Sequence, residues 1–251
     1  MIVGIDIGGT NIDVVSLDDD FKHVATFKTS EYISKLEDLI KELASNARAI
    51  GIGIAAWLKD GKPFYAPNLP TIPEIKVNKP AVIENDANCF AYYASKVFNV
   101  KNLIGITIGT GIGSGIVING EIYRGFNGLA GEIGHTFIGG DLRCKCGKIG
   151  CLEAYFGGWA LGNSRELIET GRIYETKGFE LFCISIANAV MLLNPEAIAI
   201  GGRIGSRLDI KRVKDNVSEY LPDVFIPKFY SLKDDLAVAK GACLLAKASI
   251  F

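Results

Sequence analysis

The chain lacks the marks of several common function classes. No G-x-x-x-x-G-K-[ST] stretch occurs, which excludes a P-loop nucleotide site, and its glycine turns lead into strands rather than helices, which excludes a dinucleotide-binding fingerprint. Charge of one sign is missing too. With 27 basic and 28 acidic residues the formal net charge is −1, so nothing draws the whole chain to nucleic acid or to an anionic membrane. No apolar run approaches the roughly 18–20 residues that cross a bilayer. The opening MIVGIDIGG has neither the basic start nor the long apolar stretch of a secretion signal. The expectation is a cytoplasmic protein whose cysteines stay reduced. Histidine is scarce, with two in 251 residues, and C-x-x-C is absent, so a thioredoxin-like redox centre is not expected.

What is present is an ordinary globular composition, 49% hydrophobic and 22% charged, and a repeat. IVGIDIGGTNIDVVSLDDDF, from Ile2, resembles LIGITIGTGIGSGIVINGEI, from Leu103. Gly4, Ile5, Ile7 and Gly8 align with Gly105, Ile106, Ile108 and Gly109. Each copy reads as a strand, a glycine-rich turn and a second strand, so the pair predicts a duplicated α/β unit.

The rest alternates. SKLEDLIKELASNAR carries leucine and isoleucine at helical spacing, with Ser34 as the expected N-cap. AIGIGIAAW and KPAVIEND read as buried strands, and DANCFAYYASKVF as a helix with Asp86 near its start. FELFCISIANAVMLLN is a helix stopped at Asn194-Pro195, AIAIGG a strand, and LAVAKGACLLAKAS a closing helix of small residues. This order predicts α/β layers. The division falls before the second hairpin, giving residues 1–102 as a smaller domain, completed by the helix at about 236–251, and 103–235 as a larger one. Cys89, Cys183 and Cys243 sit in apolar, helix-like surroundings and read as small buried hydrophobes.

Both glycine turns, DIGGT (Asp6 to Thr10) and GTGIG (Gly109 to Gly113), can curl backbone N–H groups around an anion if glycine adopts positive φ. Paired across a cleft, and with Asp6 suited to Mg²⁺, they suggest a clamp on a nucleotide's phosphates. Gly201 and Gly202 follow a strand; they admit an adenosine or merely end that strand, and both readings stay open. IENDAN places Asp86 where a strand ends and a helix begins. A carboxylate there is either a helix cap or, beside the amide of Asn85, a general base next to a hydroxyl-binding group.

HTFIGGDLRCKCGKIGCLE, from His135, offers one imidazole and three thiols at His135, Cys144, Cys146 and Cys151. C-x-C-x4-C with an upstream histidine matches a closed tetrahedral Zn²⁺ site, structural because no coordination position stays open. Glu132 and Glu153 flank it, either as solvated acids or as polar groups of a pocket.

DIGGT, ENDAN, GTGIGSGIVINGEIYRGFNGLAGEIGH and CKCGKIGCLE, in this order and spacing, closely resemble the ROK family of sugar kinases and repressors. The resemblance runs from the first strand to the last helix. It implies a duplicated ribonuclease-H-like (actin-like ATPase) fold with two domains around a cleft. It implies Asp86 as the base for a sugar hydroxyl, typically the 6-hydroxyl of a hexose, with Asn68, Asn85, Glu132, His135 and Glu153 around the sugar ring. ATP with Mg²⁺ would lie against Asp6, Gly8, Gly9, Thr10, Asn11, Thr110 and Gly111, with Gly201 and Gly202 by the adenosine. A homodimer or homotetramer is also implied.

Departures stand out. Asn11 occupies a position that is often Lys in the family, and Ala55-Ala56 followed by Trp57 replaces the usual Pro-Gly, which alters the sugar pocket. The segment between Glu153 and the Cys183 helix looks trimmed. No helix-turn-helix precedes the first strand, an arrangement that disfavours the repressor branch. The expectation is an ATP-dependent hexose kinase, glucokinase-like. The alternatives are a kinase for fructose, mannose or an N-acetylhexosamine, a non-catalytic sugar-binding regulator, and an actin-like assembly ATPase.

Overall fold

In the computed structural model, which describes residues 1–250, two five-stranded sheets are built to one plan. The first half runs β1 (Ile2–Ile7), β2 (Asn11–Leu17), β3 (Phe21–Lys28), α1 (Thr29–Tyr32), α2 (Leu36–Leu43), β4 (Ala49–Ile54), β5 (Trp57–Lys59), β6 (Lys62–Tyr65), β7 (Ala81–Asn85) and α3 (Asp86–Val97). Then come β8 (Leu103–Ile108), β9 (Ile112–Ile118), β10 (Glu121–Ile122), α4 (Glu153–Phe156), α5 (Gly158–Leu161), α6 (Ser164–Glu169) and α7 (Lys177–Leu193). The chain ends with β11 (Ala197–Gly201), α8 (Gly202–Gly205), α9 (Ile210–Ser218), β12 (Lys228–Ser231) and α10 (Ala237–Ser249).

The sheet orders are β3-β2-β1-β4-β7 and β10-β9-β8-β11-β12. In each, a central strand pairs antiparallel with the strand after its glycine turn and parallel with the strand on its other side. The repeat read from the sequence is therefore a repeat of topology. Its glycines have a packing reason. A Cβ at Gly4 or Gly51 would collide with the backbone of α10, at Ala239 and Ala242. A Cβ at Gly105 would come within 2.7 Å of Ala91, and one at Gly115 within 2.7 Å of Asn88 Cα, both on α3. So α10 lies on the first sheet and α3 on the second, and Gly241 lets the two helices cross against Cys89. Although α3 precedes residue 103, it packs on β8 and β9 of the second sheet; α10 lies on β1 and β4 of the first. Phe251, the last residue of the segment assigned to the first domain, is outside the described residues.

One core fills the first sheet's far side, where Ile5, Ile7, Ile12 and Ile52 meet Leu36, Leu39 and Ile40. A larger one joins Ile106, Ile108 and Ile200 to Phe156, Phe182, Ile186 and Val190 on the other face of the second sheet. Cys89, Cys183 and Cys243 are buried as expected.

Two local expectations change. Ser34 does not cap a helix: residues 33–35 form a short 3-10 turn, and α2 starts after Lys35 with no side-chain cap. The second strand of the Leu103 copy, over GIVINGE, is not continuous: it stops at Ile118, because Asn119 and Gly120, at φ 54 and 84, turn the chain back into β10. Asn-Gly is a hairpin signal, since both residues tolerate positive φ. Among the described residues no helix is long and apolar enough to cross a membrane.

Candidate active site

Between the sheets lies a cleft of about 1270 Å³, above the roughly 300–1,000 Å³ of a typical single-ligand pocket. It brings together Asp6, Gly8, Gly9, Thr10, Asn11, Asn68, Asn85, Asp86, Thr110, Gly111, Glu132, His135, Glu153 and Gly202. Gly201 stays beneath, where a Cβ would strike the Phe90 ring. Gly202 makes the left-handed step, φ 80, from β11 into α8.

The glycine turns do not work by positive φ. Neither the glycines of the Asp6–Thr10 turn nor those of the Gly109–Gly113 turn adopt it. They are glycine because neighbours come close. A Cβ at Gly9 would stand 2.6 Å from the Asn68 carbonyl, and one at Gly111 would overlap the Glu153 carboxylate. Gly109 meets nothing within 4 Å and leaves its side of the turn open.

At the start of α3 the cap question is resolved by division of labour. Asn85 is the N-cap: its Oδ1 accepts from Ala87 N at 2.9 Å and Asn88 N at 3.3 Å, and its Nδ2 donates to the Ala56 carbonyl at 3.2 Å. The amide read as a hydroxyl binder is thus mostly occupied. Asp86, released from capping, lines the cleft and accepts one hydrogen bond, from Ala87 N at 2.9 Å. Burial raises its carboxyl to about 6, offset in part by backbone N–H groups. Below it, Glu84 accepts from Asn85 N and Asn88 Nδ2 at 2.9 Å and from Arg124 Nε at 2.7 Å. This ion pair ties the helix start to the loop leading to Glu132.

Glu132 is raised further, to about 7, by burial first, with Asp86 and Glu153 adding repulsion and Trp57 offsetting it as a hydrogen-bond partner. Glu153 is 2% exposed; its Oε2 accepts from Ile112 N at 2.8 Å and its Oε1 from Trp159 Nε1 at 3.2 Å. It therefore braces the second glycine turn rather than standing as a solvated acid.

The cysteine cluster converges. One ligand atom from each of His135, Cys144, Cys146 and Cys151 lies within 4.8 Å of the others. Cys144 Sγ is 3.6 Å from His135 Nδ1, and Cys146 Sγ is 3.7 Å from Cys151 Sγ. Zn–S and Zn–N bonds of about 2.3 and 2.0 Å in a tetrahedron require edges of about 3.8 and 3.5 Å, so the set fits that ion. Burial and the neighbouring thiols push Cys151 up to about 12. Thiols held this close favour a cation that can bind them as thiolates. Asp6 fits a cation as well: its Oδ1 is buried with no hydrogen-bond partner, and burial, then Asp86 and Asp13, raise its pKa well above the ordinary range.

In the sequence Trp57 stands out only as a departure from the family pattern. Its ring sits 5.6 Å from His135, edge to face, and 4.8 Å from Tyr65. Missed altogether were Trp159, which holds Glu153, and Arg203, Ser206, Arg207 and Lys233, which line the cleft beyond Gly202. Cations following a strand's terminal Gly-Gly were the available signal.

Two matching sheets around a cleft, each offering a glycine turn, place the chain in the actin-like ATPase fold class. It belongs to the ROK family, which it matches over residues 2–249. It is 26% identical over 300 residues to an N-acetyl-D-glucosamine kinase of Photobacterium profundum, covering 98% of this chain and 99% of that one. It is 36% identical over 182 residues to the glucokinase of Streptomyces coelicolor, covering 64% and 57% of the two chains. A ROK glucokinase from Streptomyces griseus, solved with glucose and AMPPNP, shares the fold at TM-score 0.77 and 24% identity, covering 98% of this chain and 99% of that one.

Proposed function

We propose that the protein is an ATP-dependent hexose kinase acting on glucose at the 6-hydroxyl, with Asp86 as general base. The observation that carries this is the freed carboxylate: Asn85 takes the cap, and Asp86 faces the cleft between the two glycine turns. Support for a sugar substrate comes from relatives that are N-acetylglucosamine and glucose kinases, and from the fold shared with a glucokinase holding glucose and a nucleotide analogue.

On this reading Asp86 accepts the hydroxyl proton as that oxygen attacks the γ-phosphorus in line, with no covalent intermediate on the protein. At pKa about 6 it is mostly ionised at neutral pH, yet more basic than a solvated aspartate. Asn68, Glu132 and His135 orient the sugar ring, and Glu153 does so while holding the phosphate turn. Asp6 would hold Mg²⁺, which when bound offsets phosphate charge. Zn²⁺ at His135 and the three cysteines would fix the loop, leaving His135 Nε2 for a sugar hydroxyl.

A coupled ADP-release assay across glucose, mannose, fructose, N-acetylglucosamine and N-acetylmannosamine tests this. Glucose should give the highest kcat/KM. Folded, zinc-loaded protein that turns over none of these sugars would end the kinase reading; a better acetylated hexose would move the substrate only.

A further inference from the structure

Lys28 ends β3 directly across from Asn11, the residue that follows the first glycine turn and opens β2. Opposed residues of an antiparallel pair share a face, so register fixes where this lysine stands. Asp6 pairs with Asp13, Asp13 with Thr26 and Asn11 with Lys28. Asp6, Asn11, Asp13 and Thr26 all line the cleft; Lys28, exposed at the end of β3, shares their face of the sheet without itself lining the cleft.

Its position is held. Lys28 Nζ donates to Asn11 Oδ1 at 3.1 Å. The next residue, Thr29, is fully buried and stitched to the same turn: its N–H donates to the Thr10 carbonyl at 3.1 Å and its Oγ1 to the Gly8 carbonyl at 2.7 Å. Among the described residues Lys28 has no carboxylate partner. An ammonium has three N–H groups and Asn11 takes one. Because the Asn11 oxygen faces Lys28, the amide NH₂ points the other way and stays available. Meanwhile Asp6, Asp13 and Asp86 make this wall repulsive to an anion; burial first, then Asp86 and Asp13, raise the Asp6 carboxyl. A polyanion approaching the turn needs a cation, and β3 brings one.

We propose that Lys28 and Asn11 form a two-residue phosphate clamp, the ammonium and the amide NH₂ together gripping a phosphate of the nucleotide at the first glycine turn. That the anion is a nucleotide's rests on the kinase reading; that the pair binds phosphate rests on its own geometry.

Calorimetric titration of the full chain with MgATP, and separately with adenosine, tests it. Lys28→Met should weaken MgATP about tenfold, the scale of one lost charge-assisted hydrogen bond, and leave adenosine affinity unchanged. Asn11→Lys/Lys28→Met, which moves the cation across the ladder, should regain most of the loss. Equal weakening of both ligands, unchanged MgATP affinity in Lys28→Met, or no recovery in the double variant would overturn the clamp. Should Lys28→Met fold poorly, Lys28→Gln serves for the same comparison. Wild-type protein that binds MgATP but phosphorylates no hexose would sink the kinase reading and leave the clamp standing; wild-type protein that binds no MgATP sinks the clamp as well.

Discussion

Replacing Asp86 with Asn should produce a dead protein that is more stable than the wild type. The side chain keeps its shape but can neither ionise nor take a proton. As general base it is expected to contribute about 10²–10⁴ in rate, so kcat should fall by that factor while hexose affinity changes a few-fold at most. The wild-type rate should follow the same group. With its carboxyl at about 6, roughly nine-tenths is ionised at pH 7 and roughly one-tenth at pH 5, so kcat/KM should lose about tenfold per unit below pH 6. Stability runs the opposite way. The folded value lies above the ordinary 3.8, so the folded state binds the proton more tightly than the unfolded chain. Ionised Asp86 therefore costs nothing below pH 3.8, a growing amount up to pH 6, and about 3 kcal/mol above it. The neutral amide escapes that cost, so at pH 8 Asp86→Asn should melt about 6–10 °C above wild type, with the gain gone near pH 4. Thermal melts at both pH values and the coupled assay read the two effects. More than a tenth of wild-type kcat would remove Asp86 as the base, and equal melting at pH 8 would refute the burial argument.

Gly51→Ala should destabilise by about 3 kcal/mol or more, because its methyl would collide with the Ala242 carbonyl of α10; urea melts measure it, and a near-neutral effect would mean α10 can shift away. Trp57→Ala should raise hexose KM about tenfold, since an aromatic wall of the pocket and a partner of Glu132 are lost together; Trp57→Phe should recover part of that, and unchanged KM in both would place the ring outside the sugar site. Cys146→Ser should lower bound zinc, measured by metal analysis, and raise KM for MgATP as well as for hexose, because Glu153 joins the cysteine loop to Ile112 N in the second glycine turn. Zinc loss with MgATP KM unchanged would show that Glu153 holds the turn without help from the metal loop.

The fold was legible because its signals are strong and local. β-branched strands with glycine turns recur at a fixed offset, and the four zinc-type ligands lie within 17 residues, 135 to 151. What could not be read was which neighbour each residue meets. Gly9 and Gly111 look like anion-binding glycines, but the reason for them is 2.6 Å from Asn68 and on top of Glu153, residues far away in sequence. Asn85 and Asp86 are interchangeable as caps on paper, and only the helix geometry assigns the cap to one and frees the other. Glu153 reads in sequence as either a solvated acid or a pocket group, and nothing near it says that a backbone N–H 41 positions earlier will claim its carboxylate. Lys28 escaped notice for the same reason: it becomes relevant through strand register, and an exposed lysine carries no sequence signal of its own.

The cleft also explains why its acids are tolerated. Asp6, Asp86, Glu132 and Glu153 line one cleft; burial pushes the first three upward, and neighbouring carboxylates add to it for Asp6 and Glu132. Such a group of carboxylates is costly when all are ionised and dry. Each has a different way of losing that cost. Glu153 has already done so through two N–H donors of the protein. Asp6, with an unpartnered oxygen, needs a cation. Glu132, under the kinase proposal, would gain hydroxyl donors from a sugar ring. Asp86 is left with the backbone bond from Ala87 and, among the described residues, no side-chain partner, and that difference in partners is why the kinase proposal gives it, among four chemically similar side chains, the proton-accepting role.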